Sequence, residues 1–335
     1  MLTPNRNQRI ILSIVIAAIF LALAAGSALT NRPQIDEGMF ASPALNLSRD
    51  GFFGTTVLET DQSPLTRIEE RTYWVMPLFL LNAAASFEAF GFSLFTMRLV
   101  SVLWGLIFIL AGYFVAAKLS ENENAGLLAA AFLACDYMVL DTASQARPDM
   151  MCAALGLSAI AAFLVWRERN LTLAVLLSQT LVALAGLTHP NGIMAFFGVA
   201  FLTVYFDFRR IKLKHFGVAF LPYLIGGASF GLWVLQDAQA FKDQFIDNAL
   251  MGGRMSGFSS PFDGLIREFT QRYPHAFGLL AHSGGHSGPI FLKSLILIGY
   301  ALGVLGVLLT KELRNNRNYL ALLILTTFYF VWMGL

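Results

Sequence analysis

The sequence predicts an all-α polytopic membrane protein of about nine transmembrane helices, with interfacial helices in a first long outer loop. Three observations carry this. Hydrophobic residues make up 56% of the 335 and charged ones only 13%, against roughly 25% charged in an ordinary soluble domain. Uncharged apolar runs recur along the chain at lengths that suit a hydrocarbon core of ~30 Å. The Lys and Arg residues gather in a few short loops, and those loops fall on one side once the runs are threaded alternately through a bilayer.

The runs come in order. Ile10 to Leu29 holds 20 uncharged residues behind Arg6 and Arg9, longer than the apolar core of a cleaved leader, so it reads as an anchor with its N-terminus in the cytoplasm. Further crossings are expected at Leu99 to Ala117, Ala125 to Leu140, Met150 to Trp166, Leu171 to Leu187, Pro190 to Phe206, Phe216 to Leu235, Ile290 to Thr310 and Tyr319 to Leu335. The stretch from Val75 to Phe92 is apolar but contains Asn82 and Glu88. Keeping it in the outer interface puts the basic loops Arg167 to Arg169, Arg209 to Lys214 and Lys311 to Arg317 on the same side as Arg6 and Arg9; letting it cross moves them outside, against the positive-inside rule. The whole of 1–335 is therefore taken as one membrane domain, integral to the cell's inner membrane. Its two long outer segments are 30–98 and 236–288, and loops of such length usually act as lids or binding elements.

Residues able to do chemistry sit on that outer side. Asp36 and Glu37 follow the first crossing closely, where low-dielectric lipid raises carboxylate pKa values toward those of a general base; the same pair also suits an acidic turn capping the next helix. A second cluster contains Asp136, Asp141, Arg147 and Asp149. Asp136 lies inside an apolar run, where ionisable residues usually face a cavity or a partner, while Arg147 also suits an ion pair with Asp141 or Asp149 that ties a turn. His189, in the short turn THPNG, reads either as a phosphate donor or as a polar cap. Arg98, Arg71 and Arg254 are further cations for an anionic leaving group. The glycine-rich MGGRMSGFSS and HSGGHSG of the second outer segment suit a mobile loop, and the glycines between His282 and His286 argue against a helical metal pair. Cys135 and Cys152 sit in apolar segments as small buried hydrophobes, with a disulfide between helix ends the other option. Carboxylates from two loops, cations beside them and a closing segment together suit group transfer from a phosphate. Neither a GxGxxG nor a Walker-type loop occurs, as expected where the donor is not a nucleotide.

Over most of Met1 to Leu235 the chain resembles the GT-C superfamily of glycosyltransferases, in the branch of protein O-mannosyltransferases and lipid A aminoarabinose transferases. IDEGMFASPALNL resembles that branch's acidic motif, SPLTRIEERTYWVMPLFLLNAAASFEAFG its interfacial helices and MRLVSVLWGLIFILAGYFVAAKLS its Arg-led second span. QARPDMMCAALG resembles the Arg-x-Asp turn, and THPNG stands where relatives carry Lys or His. The resemblance implies that Asp36 is the catalytic acid that binds or deprotonates the acceptor, assisted by Glu37, with Asp149 the second carboxylate. Arg147, His189 and Arg98 would hold the carrier phosphate. The implied partners are a polyprenyl-phosphate-linked sugar, a lipid, protein or glycan acceptor and the bilayer, with no nucleic acid; a divalent metal is an open option and no other cofactor is implied. Transfer would invert the anomeric carbon. Relatives often carry further spans and a C-terminal soluble domain, whereas this chain stops at Leu335 inside an apolar segment, as a short member or part of a longer chain would. A transporter or flippase of lipid-linked sugars, with charges at mid-membrane and inverted repeats, and a non-catalytic scaffold are the rival readings.

Overall fold

The computed structural model describes residues 5–58, 65–251, 260–276 and 290–334. Arg254, His282 and His286 lie outside these, as does the side chain of Lys293. The described residues form helices and turns with no strand, in two compact units, 1–135 with 139–248 and 136–138 with 249–335.

In the larger unit, α1 (Arg6–Thr30) starts at a reciprocal cap in which Asn5 and Gln8 exchange backbone-to-side-chain hydrogen bonds of 2.8 and 3.0 Å. Its 25 residues reach about 38 Å, enough to cross. α2 (Ile35–Asp50) follows a short extended link through Pro33 and stops at Gly51, whose φ of 72° is the left-handed conformation that glycine takes without strain. α3 (Pro77–Phe90) has only 14 residues, about 21 Å, too short to cross, so the Val75 to Phe92 stretch is not a span. α4 (Leu94–Ser120) begins at Ser93, which accepts the Thr96 N–H at 2.9 Å. α5 (Glu123–Cys135) and α6 (Tyr137–Ala143) form one bent pair with a 61° break. α7 (Pro148–Trp166), with proline at its first position, α8 (Leu171–Thr188), α9 (Ile193–Asp207) and α10 (Leu213–Val234) complete the long helices. Short turns of helix follow, α11 (Ala238–Phe241), a π turn at Lys242–Asp247 and α12 (Asn248–Met251).

Two apolar clusters hold these helices together. Phe20, Ala24 and Ala28 of α1 pack with Val102 and Ile109 of α4 and Ala134 of α5. Phe40, Phe79, Leu80, Phe87, Met97, Met151 and Leu155 join α2, α3, α4 and α7. α10 is open instead: Phe216, Phe220, Leu224 and Leu232 are all exposed, as expected of a face turned to lipid.

The first loop is braced by backbone pairs, Thr55 N–H to Ile68 O and Thr72 N–H to Phe53 O, both 2.7 Å. A Cβ on Gly54 would fall 2.0 Å from the Glu69 carbonyl oxygen. Gly54→Ala is therefore expected to force this brace apart, costing about 1–3 kcal/mol as overpacking does; an unchanged melting temperature in detergent would show that the loop yields freely.

The smaller unit contains α13 (Pro261–Arg267), a π turn at Glu268–Arg272, α14 (Tyr273–Ala276), α15 (Ile290–Leu309), α16 (Lys311–Arg314) and α17 (Arg317–Gly334). Phe269 and Tyr273 lie 5.1 and 5.9 Å from the Phe330 ring. Asp136, 1% exposed, accepts the Met138 N–H and the Tyr300 hydroxyl, both at 2.7 Å. The buried carboxylate thus caps the helix that restarts beyond the break.

Among the described residues six helices are long and apolar enough to cross a membrane, or seven with the bent pair counted as one. The expected count of nine is thus not reached among the described residues. The Ala125 to Leu140 run breaks at Asp136. The last two runs do form α15 and α17, and α17 carries Arg317, Asn318, Thr326 and Thr327, which dilute its apolar character. Cys135 and Cys152 are free thiols, exposed and buried respectively, so no disulfide joins them.

Candidate active site

Because α1 ends and α4 begins at the same end of the larger unit, with the short α2 and α3 between them, polar residues from distant parts of the sequence meet there. Arg98, the fifth residue of α4 and 2% exposed, reaches across to α1 and α2. Its Nε and Nη2 donate to the two carboxylate oxygens of Glu37 at 2.7 Å each. Its remaining hydrogens go to the carbonyls of Ala28 (2.7 Å), Asn31 (2.9 Å) and Arg32 (3.2 Å). All five guanidinium donors are used. Those carbonyls stand at the C-terminal end of α1, where helical partners run out, so Arg98 closes that end.

Glu37 is equally committed. Besides Arg98 it accepts the N–H of Gln34 at 2.9 Å, which caps α2, and the N–H of Ala146 at 2.8 Å, which holds the turn before α7. Burial by itself would raise the Glu37 carboxyl, but the hydrogen bonds from Arg98, Ala146 and Gln34, with the Arg98 charge, more than offset it and hold the group below the usual carboxylate range. Asn31 adds a bond to Ser144 Oγ at 3.0 Å, and Ser101 Oγ donates to the Arg147 carbonyl at 3.3 Å. The 144–147 turn is thereby pinned to α1, α2 and α4 together.

On this base the turn presents Arg147. Its Nη1 donates to Asp36 Oδ2 at 2.5 Å and its Nε to Asp149 Oδ2 at 3.0 Å. The guanidinium bridges two carboxylates 113 residues apart, and all three side chains are open, at 47% for Asp36, 33% for Arg147 and 39% for Asp149. Burial opposes the Arg147 charge, yet the bond and charge of Asp149 and those of Asp36 raise its pKa above the ordinary arginine value. Both acids bond the same guanidinium and therefore face one shared environment. Asp36 is the first helical residue but one of α2, and Asp149 occupies the first turn of α7, positions where helix dipoles favour negative charge.

Of the six expected site residues, five meet here in two tiers. Asp36, Arg147 and Asp149 are open, whereas Glu37 and Arg98 lie beneath them with every donor and acceptor in use. Arg98 and Glu37 are thus paired with each other out of reach of solvent, rather than placed among the open side chains. His189 ends α8, and its Nδ1 accepts the Asn191 N–H at 3.1 Å, which leaves Nε2 as the donor nitrogen of the neutral ring. Gly192 fits this turn because a Cβ would lie 2.4 Å from the Gly186 nitrogen. Asp141 accepts from Gln145 at 3.1 Å rather than from Arg147. Arg71 bonds Gln236. Among the described residues no group of three His, Cys, Asp or Glu side chains is placed to hold a metal ion.

A second feature was not legible in the sequence. Gln244, fully buried, takes the Tyr73 N–H at 2.7 Å and donates to the carbonyls of Thr66 (2.8 Å) and Arg71 (2.9 Å). It thus locks the start of the second long segment onto the first. Tyr73, in turn, packs 4.5 Å from the Trp233 ring and donates to its carbonyl at 3.0 Å. Beside Trp233 opens an apolar cavity of about 350 Å³, walled by Leu47, Phe53, Leu78, Leu187 and Phe230. α2 runs from Asp36 to this cavity; Leu47 lies eleven residues further on, roughly 16 Å along the axis. The signal missed was the aromatic spacing of Phe230, Trp233, Phe241 and Phe245, which reads as core or as an interfacial helix until Tyr73 is seen against it.

Comparison with known proteins agrees with this architecture. Residues 75–233 match the model of the dolichyl-phosphate-mannose-protein mannosyltransferase family. An uncharacterised protein from Aquifex aeolicus is 21% identical over 223 residues, 63% of this chain and 40% of that protein. The crystal structure of ArnT from Cupriavidus metallidurans bound to undecaprenyl phosphate superposes with a TM-score of 0.55 at 16% identity, covering 96% of this chain and 59% of ArnT. The chain therefore spans between two fifths and three fifths of these relatives' lengths, and its helices have the fold of ArnT.

Proposed function

We propose that this chain is a GT-C-type glycosyltransferase, as the mannosyltransferase family match and the ArnT-like fold support, and that it moves a sugar from a polyprenyl-phosphate carrier onto an acceptor hydroxyl or amine at the extracytoplasmic face of the cell membrane. The observation that carries the reading is the open Asp36–Arg147–Asp149 bridge. Arg147 uses Nε and one Nη1 hydrogen on the two acids. Its three other N–H groups have no partner among the described residues and suit a phosphate.

In this mechanism Asp36 takes the acceptor's proton as the acceptor atom attacks the anomeric carbon. The bond from that carbon to the carrier phosphate breaks, and its electron pair goes to the phosphate oxygen facing Arg147. His189, through Nε2, is the second donor to that phosphate. Asp149 keeps the guanidinium aimed while charge develops. Attack from the side opposite the leaving group inverts the anomeric configuration. The apolar cavity at Trp233 seats the first part of the isoprenoid chain, in keeping with the lipid named in the ArnT complex. The basic loops at the other end of the helices support the extracytoplasmic placement. The acceptor is a glycolipid, a protein or a polysaccharide.

The test is purified protein in lipid nanodiscs given polyprenyl-phosphate sugars with candidate acceptors, with release of free polyprenyl phosphate followed by mass spectrometry and product anomers assigned by NMR. Cleavage with inversion supports a transferase. Passage of intact donor across proteoliposomes without cleavage would establish the flippase reading instead. Arg147→Gln is expected to lower turnover about 10²-fold, the size of effect when one charge-stabilising donor is removed; a normal rate would take Arg147 out of the mechanism.

A further inference from the structure

At the end of the larger unit away from Asp36, two turns join α7 to α8 and α9 to α10. Asp207, the last residue of α9 and 1% exposed in its side chain, accepts from Arg167 Nε and from Arg210 Nη1, both at 2.7 Å. Arg167 also lies 4.5 Å over the Phe206 ring and 3.1 Å from Glu168. His215 Nε2 and Thr172 Oγ1, 3.2 Å apart, tie the two turns a second time. The two acids thus compensate Arg167 and Arg210.

Four more cations are left over. Arg169, Arg209, Lys212 and Lys214 are all exposed, and among the described residues their side chains donate to no carboxylate or carbonyl. Between them stand apolar side chains that face outward, Phe208 at 70%, Leu213 at 86% and Phe216 at 64%. A soluble surface would gain nothing from such exposure, whereas at a membrane boundary the apolar groups enter the acyl region and the cations stay at phosphate depth.

We propose that these two turns form a binding place for anionic phospholipid headgroups. The buried Asp207 carboxylate keeps the paired arginines in place as a rigid floor, and the four uncompensated cations supply the charge. A zwitterionic headgroup brings its own ammonium and leaves this surplus unmatched, so the selectivity is for lipids of net negative charge. The site is separate from the candidate active site and independent of the proposed reaction.

The experiment uses the full chain in detergent, titrated with phosphatidylglycerol or phosphatidylcholine and read by native mass spectrometry. Phosphatidylglycerol is expected to be retained preferentially. K212Q/K214Q and R169Q/R209Q should each lower that preference on the order of twentyfold, about fivefold for each cation, equivalent to roughly 1 kcal/mol apiece near an anionic surface. The K212R/K214R variant should keep it, which separates charge from folding. Equal retention of the two lipids, or unchanged preference in both glutamine variants, would overturn the proposal. Displacement of the bound lipid by millimolar inorganic phosphate would overturn it too, by identifying a free-phosphate site.

Discussion

Asp36→Asn is expected to remove transfer by about 10³-fold while leaving the protein folded, within the 10²–10⁴-fold range for loss of a general base. The side chain is 47% exposed and is bonded by Arg147. Arg147 remains held by Asp149 and by its backbone ties to Gln145 and Ser101. The amide can still accept a hydrogen bond, but it cannot take a proton, so the variant isolates the chemical role. Turnover of polyprenyl-phosphate sugar in nanodiscs should fall with little change in donor binding, and melting temperature should stay put. Retention of a tenth or more of the activity would show that another group accepts the acceptor's proton. Asp149→Asn is the natural companion: its carboxylate orients Arg147, so its loss should weaken donor binding as well as the rate.

The helical class and the long helices α1, α4 and α7 to α10 were legible because apolar runs must reach a minimum length in lipid. Local capping was legible for the same reason: Pro148 opens α7 where the Arg-Pro-Asp turn predicts it. What the sequence leaves hidden is which polar residue faces inward. Glu37 and Asp36 are neighbours, and adjacent helical positions point about 100° apart; one becomes the buried partner of Arg98 and the other the open partner of Arg147. Only the placement of α4 against the end of α1 decides between them. Gln244 carries no signal at all, since a neutral amide in an amphipathic stretch is ordinary until three backbone groups of a distant loop converge on it. The break at Asp136 was half legible, as a charge in an apolar run, but the turn it caps depends on the residues after it.

Breaking the Glu37–Arg98 pair should be the most destabilising single change in the larger unit. The partners are 1% and 2% exposed, so removing one leaves the other charged and buried, at a cost of about 3–5 kcal/mol. Arg98→Met also frees three carbonyls at the end of α1, and Glu37→Gln weakens the bonds to Gln34 and Ala146. Because both changes act on one network, the double variant E37Q/R98M should be more stable than the sum of the single losses; strict additivity would mean that the pair is not the unit that holds α1, α2 and the 144–147 turn. The pair also dictates a pH response. The folded-state pKa of Glu37 lies below its unfolded value of ~4.3, so its contribution is fully present above about pH 4.3 and is lost as pH falls through the lower folded value. Arg98 stays charged throughout. In melting measurements from pH 7 downward, wild-type protein should therefore keep its margin over E37Q down to about pH 4.3 and lose it only as pH falls further. Convergence already near pH 6 would mean that Glu37 is not held ionised by Arg98, and with it would go the rigid base that keeps Arg147 between Asp36 and Asp149.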